Sequence, residues 1–164
     1  MTTEPRSRPA EGPSRRDLLK VASALALGEA AGLMLVPSAA ATPATMQAAI
    51  ASVTRGAKVN PGKIKLDIPP LVENGNTVPC SITVDSPMTE VDYVKAIHVF
   101  TEKNPQPNVV SIQLGPRAGR ASVSTRIRLA DTQSVVAIAE LSDGSLWSHR
   151  VDVLITLGAC LEDS

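Results

Sequence analysis

Seven short apolar segments are the feature that most constrains what this chain can fold into. They lie between Lys63 and Leu157 and are rich in Val, Ile and Leu. Five alternate apolar and polar residues, namely KIKLDIPP, TVPCSITVD, YVKAIHVF, ASVSTRIRLA and HRVDVLITL. VVSIQL and SVVAIAEL are mostly apolar, and Pro, Gly, Asn or Asp turn signals separate the segments. Short strands at this spacing predict an all-β fold, an antiparallel sandwich of about seven strands.

One short helix is predicted before the sandwich, from Thr42 to Gly56. Thr42 can cap it, Pro43 suits its first position, and Gly56 suits a left-handed C-terminal position. One stripe of the helix carries apolar residues: Met46, Ala49, Ile50 and Val53. The predicted organisation is therefore a helix at 42–57, a sandwich at 58–157 and a mobile tail at 158–164.

The first 41 residues have the pattern of an export signal. A polar stretch containing Arg15 and Arg16 precedes an apolar run from Val21 to Val36, and Ala39–Ala41 resembles a cleavage site. The arginine pair predicts the twin-arginine route, which exports folded proteins. The run is shorter than the roughly 20 residues of a membrane span and contains Glu29. A signal that stays in the membrane is the open alternative; cleavage near Thr42 would leave a mature protein without a span.

Composition excludes one class of function. The 164 residues include one Trp, one Tyr and one Phe, and 16 basic residues balance 16 acidic ones. Neither a basic face nor an aromatic platform for nucleic acid is indicated. The core must be built from aliphatic side chains.

Cys160 is the candidate site residue. On the last predicted strand Val151, Val153, Ile155 and Leu157 share the inward parity, so Gly158 and Ala159 should begin a tether that carries the thiol away from the sheet. Glu162 and Asp163 add negative charge, which disfavours the thiolate, so no lowering of the Cys160 pKa is expected. The thiol is predicted to be unactivated.

Cys80 offers an alternative for that thiol. Two cysteines in an exported protein often pair, but Cys80 shares the inward parity of Val78, Ile82 and Val84 and reads as a buried apolar residue. A free functional thiol, a Cys80–Cys160 disulfide and an inert thiol all remain open at this point.

Other candidate sites are weaker. His98 and His149 lie on different predicted strands without metal-ligand spacing, and no His or Met follows Cys160, so no metal site is expected. The arginines at 117, 120, 126 and 128 form either a solvated face or a site for an anionic partner. Asn74-Gly75-Asn76 reads as a turn in which Gly75 could take a positive φ.

The chain from residue 45 to 160 resembles the SoxY family of thiosulfate-oxidation proteins. The resemblance rests on LDIPPLVENGNTVP, SPMTEVDYVKAIHVFTEKNPQP, STRIRLA, AELSDGS and the final strand before a cysteine. It implies an immunoglobulin-like sandwich that forms a periplasmic heterodimer with the small sandwich protein SoxZ. Cys160 would be the attachment point for covalent sulfur intermediates, with no other cofactor and no catalysis by the carrier itself.

The resemblance also implies a set of partner enzymes. A haem-containing SoxAX protein would join thiosulfate oxidatively to Cys160, SoxB would hydrolyse off sulfate, and a sulfane dehydrogenase would act in some organisms. The family's tail reads Gly-Gly-Cys-Gly-Gly, whereas this one reads Gly-Ala-Cys-Leu-Glu-Asp-Ser. Ala159 restricts the arm and Leu161, Glu162 and Asp163 add bulk and charge, which bears on acceptance by those partners.

Overall fold

The computed structural model describes residues 42–159. The predicted export signal at 1–41 and the residues 160–164 lie outside this range. The described chain contains one helix, α1 (Pro43–Thr54), a short 3-10 helix at Pro116–Ala118 and nine strands. The strands are β1 (Val59–Pro61), β2 (Ile64–Asp67), β3 (Leu71–Val72), β4 (Val78–Val84), β5 (Val94–Thr101), β6 (Asn108–Gln113), β7 (Ser122–Ile127), β8 (Gln133–Leu141) and β9 (Leu146–Ile155).

The strands form two sheets. The larger has the order β1-β9-β8-β5-β6, with β3 also paired to β9, and the smaller has the order β2-β4-β7. Strands make up 47% of the described residues. The predicted mostly-β sandwich with one helix is confirmed, because each of the seven apolar segments forms a strand.

Two further strands were not predicted. β1 and β3 have three and two residues, too few to show a pattern in sequence, and both pair parallel with β9. The predicted antiparallel pairing holds among the seven longer strands and does not extend to β1 and β3. Since β8 occupies the other edge of β9, β1 and β3 share its remaining edge.

The main core lies between the sheets and is aliphatic, as the composition required. Its members include Val78, Cys80 and Ile82 from β4 and Val135 and Ala137 from β8, all inaccessible to solvent. Fully burying a side chain of this kind contributes about 1.5–3 kcal/mol. The predicted inward parity of β4 is confirmed.

The helix packs on the outer face of the larger sheet. Thr42 caps it as predicted, through the bond from the Thr45 amide to Thr42 Oγ1 at 3.3 Å. It ends at Thr54, after which Arg55 and Gly56 both take left-handed φ values of 53° and 74°. Met46 is buried against Phe100, Val136, Ile138 and Leu146. With 12 residues, this helix of the described chain falls short of what a bilayer crossing requires.

The end of β9 departs from the predicted parity. Val153 is buried and Ile155 is half-buried, but Leu157, predicted to face the core, is 65% exposed. The strand ends at Ile155, and the chain then turns to follow a different set of contacts. Those contacts form the candidate site.

Candidate functional site

The candidate site is the point at which the chain leaves the sandwich toward Cys160. Cys160 itself lies outside the described residues, but the preceding four residues do not. We call Thr156, Leu157, Gly158 and Ala159 the arm base. The contacts of the arm base define where the chain that leads to Cys160 leaves the sandwich.

The last residues of β9 and the start of the arm base are held along β3. The Leu154 amide donates to the Pro70 carbonyl at 2.9 Å, and the Thr156 amide donates to the Val72 carbonyl at 3.1 Å. The Thr156 hydroxyl adds a bond to the Glu73 carbonyl at 3.1 Å. The chain is thus paired with its neighbour beyond the end of β9.

Gly75 continues this pairing on both of its backbone groups. Its amide donates to the Leu157 carbonyl at 2.8 Å, and its carbonyl accepts from the Leu129 amide at 2.9 Å. The Leu129 carbonyl in turn accepts from the Ala159 amide at 3.1 Å. Bonds of this kind contribute about 0.5–1.5 kcal/mol each, so together they hold the arm base against the sandwich.

The reason for glycine at position 75 differs from the prediction. Gly75 does not take a left-handed φ, which among the described glycines occurs at Gly56, Gly62, Gly119 and Gly144. A Cβ at Gly75 would instead overlap the Leu129 carbonyl oxygen and lie 2.8 Å from the Ala159 nitrogen. Glycine is required here because three backbone segments meet.

Gly158, in the arm base itself, also lacks room for a side chain. A Cβ there would overlap the carbonyl oxygen of Ala130. Gly158 is exposed and Ala159 is half-buried. The tether predicted to start at Gly158 is therefore bonded to the sandwich through Ala159; the hinge role predicted for these two residues stays a prediction.

A buried polar pair supports the Leu129–Ala130 segment from beneath. Asn104 and Gln133 are 6% and 4% exposed. The Asn104 side chain donates to the Arg128 carbonyl at 2.7 Å and accepts from the Ala130 amide at 3.1 Å. Gln133 donates to Asn104 Oδ1 at 3.1 Å. Burial without partners would be costly, so this pair fixes the segment in one arrangement.

Sequence reasoning missed Leu129, Asn104 and Gln133 as parts of this site. In the sequence, Asn104 precedes Pro105 and is simply part of one of the turn signals between apolar segments. The available signal was that these residues lie in or next to three of the sequence blocks that carry the resemblance, ENGN, EKNPQP and STRIRLA. The blocks are far apart in sequence, and the structure brings them together beside the arm base. Nothing local to any block shows that they meet.

Three exposed leucines lie in the arm base or close to it in the fold. Leu71 and Leu154 are each 59% exposed and are paired across β3 and β9, and Leu157 is also exposed. Among the large apolar side chains of residues 42–159, Val91 is the other one with high exposure. This end of the sandwich therefore presents apolar surface to solvent beside the arm.

Cys80 lies deep in the main core. It is inaccessible to solvent, and burial raises the pKa of its thiol to about 11. Its partner on the neighbouring strand β7 is Thr125. A disulfide requires two Cα atoms within about 7 Å of each other. Because Cys80 has no exposed surface, a Cys80–Cys160 bond would require the chain after Ala159 to enter the core.

The remaining candidate residues do not converge. His149 accepts the Leu66 amide at 3.1 Å and links the two sheets, whereas His98 bonds Ser111 at 2.8 Å. Within residues 42–159 no group of His, Cys, Asp or Glu could hold a metal ion. The four arginines are exposed, and whether they serve an anionic partner stays a prediction.

The fold is that of a small β-sandwich protein, and comparison with known proteins identifies its family. The profile of the family described as "Sulfur oxidation protein SoxY" matches residues 37–160. Since the match spans most of the sequence and includes Cys160, the chain belongs to this family. No curated protein sequence matches it significantly.

One of the similar solved structures is itself a SoxY protein. The sulfur carrier protein SoxY from Chlorobium limicola f thiosulfatophilum is similar, with a TM-score of 0.58 and 27% identity over 70% of this chain and 98% of that one. A superoxide reductase (neelaredoxin) from Ignicoccus hospitalis aligns with a TM-score of 0.51 and 14% identity over 73% of this chain and 98% of that one. At that identity the second likeness shows the fold alone.

Proposed function

We propose that this protein is a periplasmic sulfur carrier that bears sulfur intermediates covalently on Cys160 and presents them to partner enzymes. The observation that carries the proposal is the family match, which reaches Cys160 itself. The chain acts as the substrate-bearing subunit and not as an enzyme, and it needs no cofactor beyond the sulfur adduct. Arg15 and Arg16 direct its export by the twin-arginine route.

The loading step is an oxidation of thiosulfate together with the thiol. A Cys160 thiolate and a thiosulfate dianion form a sulfur–sulfur bond, giving Cys160–S–S–SO₃⁻ and releasing two electrons to a haem cytochrome of the SoxAX class. Water then cleaves the terminal sulfur–sulfur bond on a SoxB-type hydrolase. That step releases sulfate and two protons and leaves a persulfide anion on Cys160, which a sulfane dehydrogenase can oxidise further.

The position of Cys160 suits this role. A thiol that must enter several active sites cannot be enclosed in one pocket, and Ala159 is the last described residue bonded to the sandwich. A thiol without an activating neighbour reacts when a partner supplies catalysis. The second subunit is proposed to be a SoxZ-like sandwich.

Mass spectrometry of the intact protein tests the proposal. Protein isolated from cells oxidising thiosulfate should carry mass increments of sulfur and sulfonate groups, and Cys160→Ser should carry none. Cys80→Ala is the matched control and should retain the increments. An unmodified wild-type mass under these conditions would count against the carrier role.

A structural disulfide between Cys80 and Cys160 is the second candidate function for the thiol. The complete burial of Cys80 in the core favours the carrier over this alternative. Thiol titration of the non-reduced, denatured protein decides between them: two thiols support the carrier, and none supports the disulfide.

A further inference from the structure

We propose that the loop Glu73–Asn76 is a clamp that fixes where the sulfur-bearing arm leaves the sandwich, with Gly75 and Gly158 as positioning residues for Cys160. This inference rests on the proposed function, because it concerns the same thiol. It goes beyond that function in assigning a task to a loop that carries no reactive group. We call this loop the Gly75 loop.

The contacts of the Gly75 loop carry the inference. Gly75 is bonded to Leu157 on one side and to Leu129 on the other, and Leu129 is bonded to Ala159. Gly75 therefore joins two segments, the arm base and the segment at Leu129. The arm base would have to break these bonds to move away from the sandwich. Together with the bond from the Thr156 hydroxyl to Glu73, these bonds engage three of the four residues of the arm base.

Both glycines serve close approach and not unusual backbone angles. Neither Gly75 nor Gly158 has a left-handed φ, yet each lacks room for a methyl group. The obstructing atoms belong to the backbone at Leu129, Ala130 and Ala159. Backbone atoms held in a hydrogen-bonded segment cannot rotate aside as the end of a flexible side chain can, so substitution must displace the arm base.

Hydrogen bonds fix both the segment around Leu129 and the Gly75 loop itself. Leu129 is fully buried, and Asn104 holds the backbone on both sides of it. Within the Gly75 loop, Asn74 Oδ1 accepts from the Asn76 amide at 2.9 Å and from the Asn76 side chain at 3.1 Å. The Gly75 backbone is thus set from within the loop and from the core.

A clamped arm base changes the reach of the thiol. With the clamp closed, the last described bond to the sandwich is at Ala159, one position before Cys160. With the clamp open, the last such bond is at Thr156, four positions before Cys160. End-to-end distance in a flexible chain grows as about 5–6 Å times the square root of residue number. Opening the clamp should therefore roughly double the root-mean-square distance of Cys160 from the last bonded residue.

Distance measurement between two spin labels tests the clamp directly. One methanethiosulfonate nitroxide is placed on Cys160 and a second on Lys65→Cys, at an exposed position of β2; Cys80 stays unlabelled because it is buried. We expect Gly75→Ala and Gly158→Ala each to widen the distance distribution by roughly 1.5- to 2-fold. Pulsed electron paramagnetic resonance reads this width without any partner enzyme.

Gly115→Ala is the matched control. Gly115 has an extended φ of −147° and nothing within 4 Å of a built Cβ, so the same substitution should leave the width unchanged. Gly158→Ala provides a second test in case Gly75→Ala does not fold, because Gly158 is exposed and lies outside the core. Thermal unfolding by circular dichroism establishes that each labelled variant is folded.

Adduct occupancy separates the clamp from the carrier role. In cells oxidising thiosulfate, Gly75→Ala and Gly158→Ala should show severalfold lower occupancy of Cys160 than Gly115→Ala, while a small thiol reagent labels all three within twofold. Widths equal to that of Gly115→Ala in both variants would overturn the clamp and leave the carrier role standing. An empty Cys160 in the wild type would overturn the carrier role, with the widths still reporting on the clamp.

Discussion

Thiol reactivity offers the sharpest test of how differently the fold treats its two cysteines. In a Cys160→Ser variant the remaining thiol is Cys80, whose pKa burial raises to about 11. At pH 8 about one thiol in a thousand is then ionised, against about one in four for an ordinary thiol of pKa about 8.5. Ionisation alone predicts a labelling rate roughly 200-fold below that of a free thiol.

Burial adds to this effect, because a reagent must wait for β4 to open before it reaches a side chain with no exposed surface. The assay is release of the coloured thiolate from an aromatic disulfide reagent at pH 8, in native buffer and in denaturant. We expect the Cys160→Ser variant to react only when unfolded, and Cys80→Ala to react fully in native buffer. Native labelling of Cys160→Ser within tenfold of its denatured rate would refute the assignment of Cys80 to the core.

Three further predictions concern the scaffold. Met46→Ala should lower the free energy of unfolding by about 2–5 kcal/mol, because Met46 is 1% exposed and central to the packing of α1; a loss below about 1 kcal/mol in urea titration would contradict this. Burial, opposed by the Glu140 charge, lowers the pKa of His98 from 6.5, so the unfolded chain binds the proton first and stability should fall as the pH drops below about 6.5. His98→Asn should remove that part of the slope in unfolding titrations between pH 7.5 and 5.5, and an unchanged slope would refute it. Asn104→Ala should leave the Arg128 carbonyl and Ala130 amide without partners, destabilise by about 1–3 kcal/mol and speed hydrogen exchange of the Ala159 amide; unchanged exchange would show that the arm base does not depend on this support.

The candidate site was predictable in part. Cys160 could be chosen from sequence because it follows the last apolar segment and completes the resemblance. Its immediate neighbourhood could not, because Gly75 and Leu157 are 82 positions apart in sequence and their bond leaves no local pattern. Gly75 was noticed, but the reason given was backbone angle, whereas the structure shows close approach of three chains.

The sequence by itself determined the features that repeat within a single strand or helix. The seven longer strands, the inward parity of Cys80 and the capped helix all follow from periodicity and turn chemistry, which act over a few neighbouring residues. Only the tertiary structure decided the short strands β1 and β3, the exposure of Leu157 and the bonded arm base. Each of these depends on pairing between distant segments, whose free energy comes from contacts formed after the sandwich has closed.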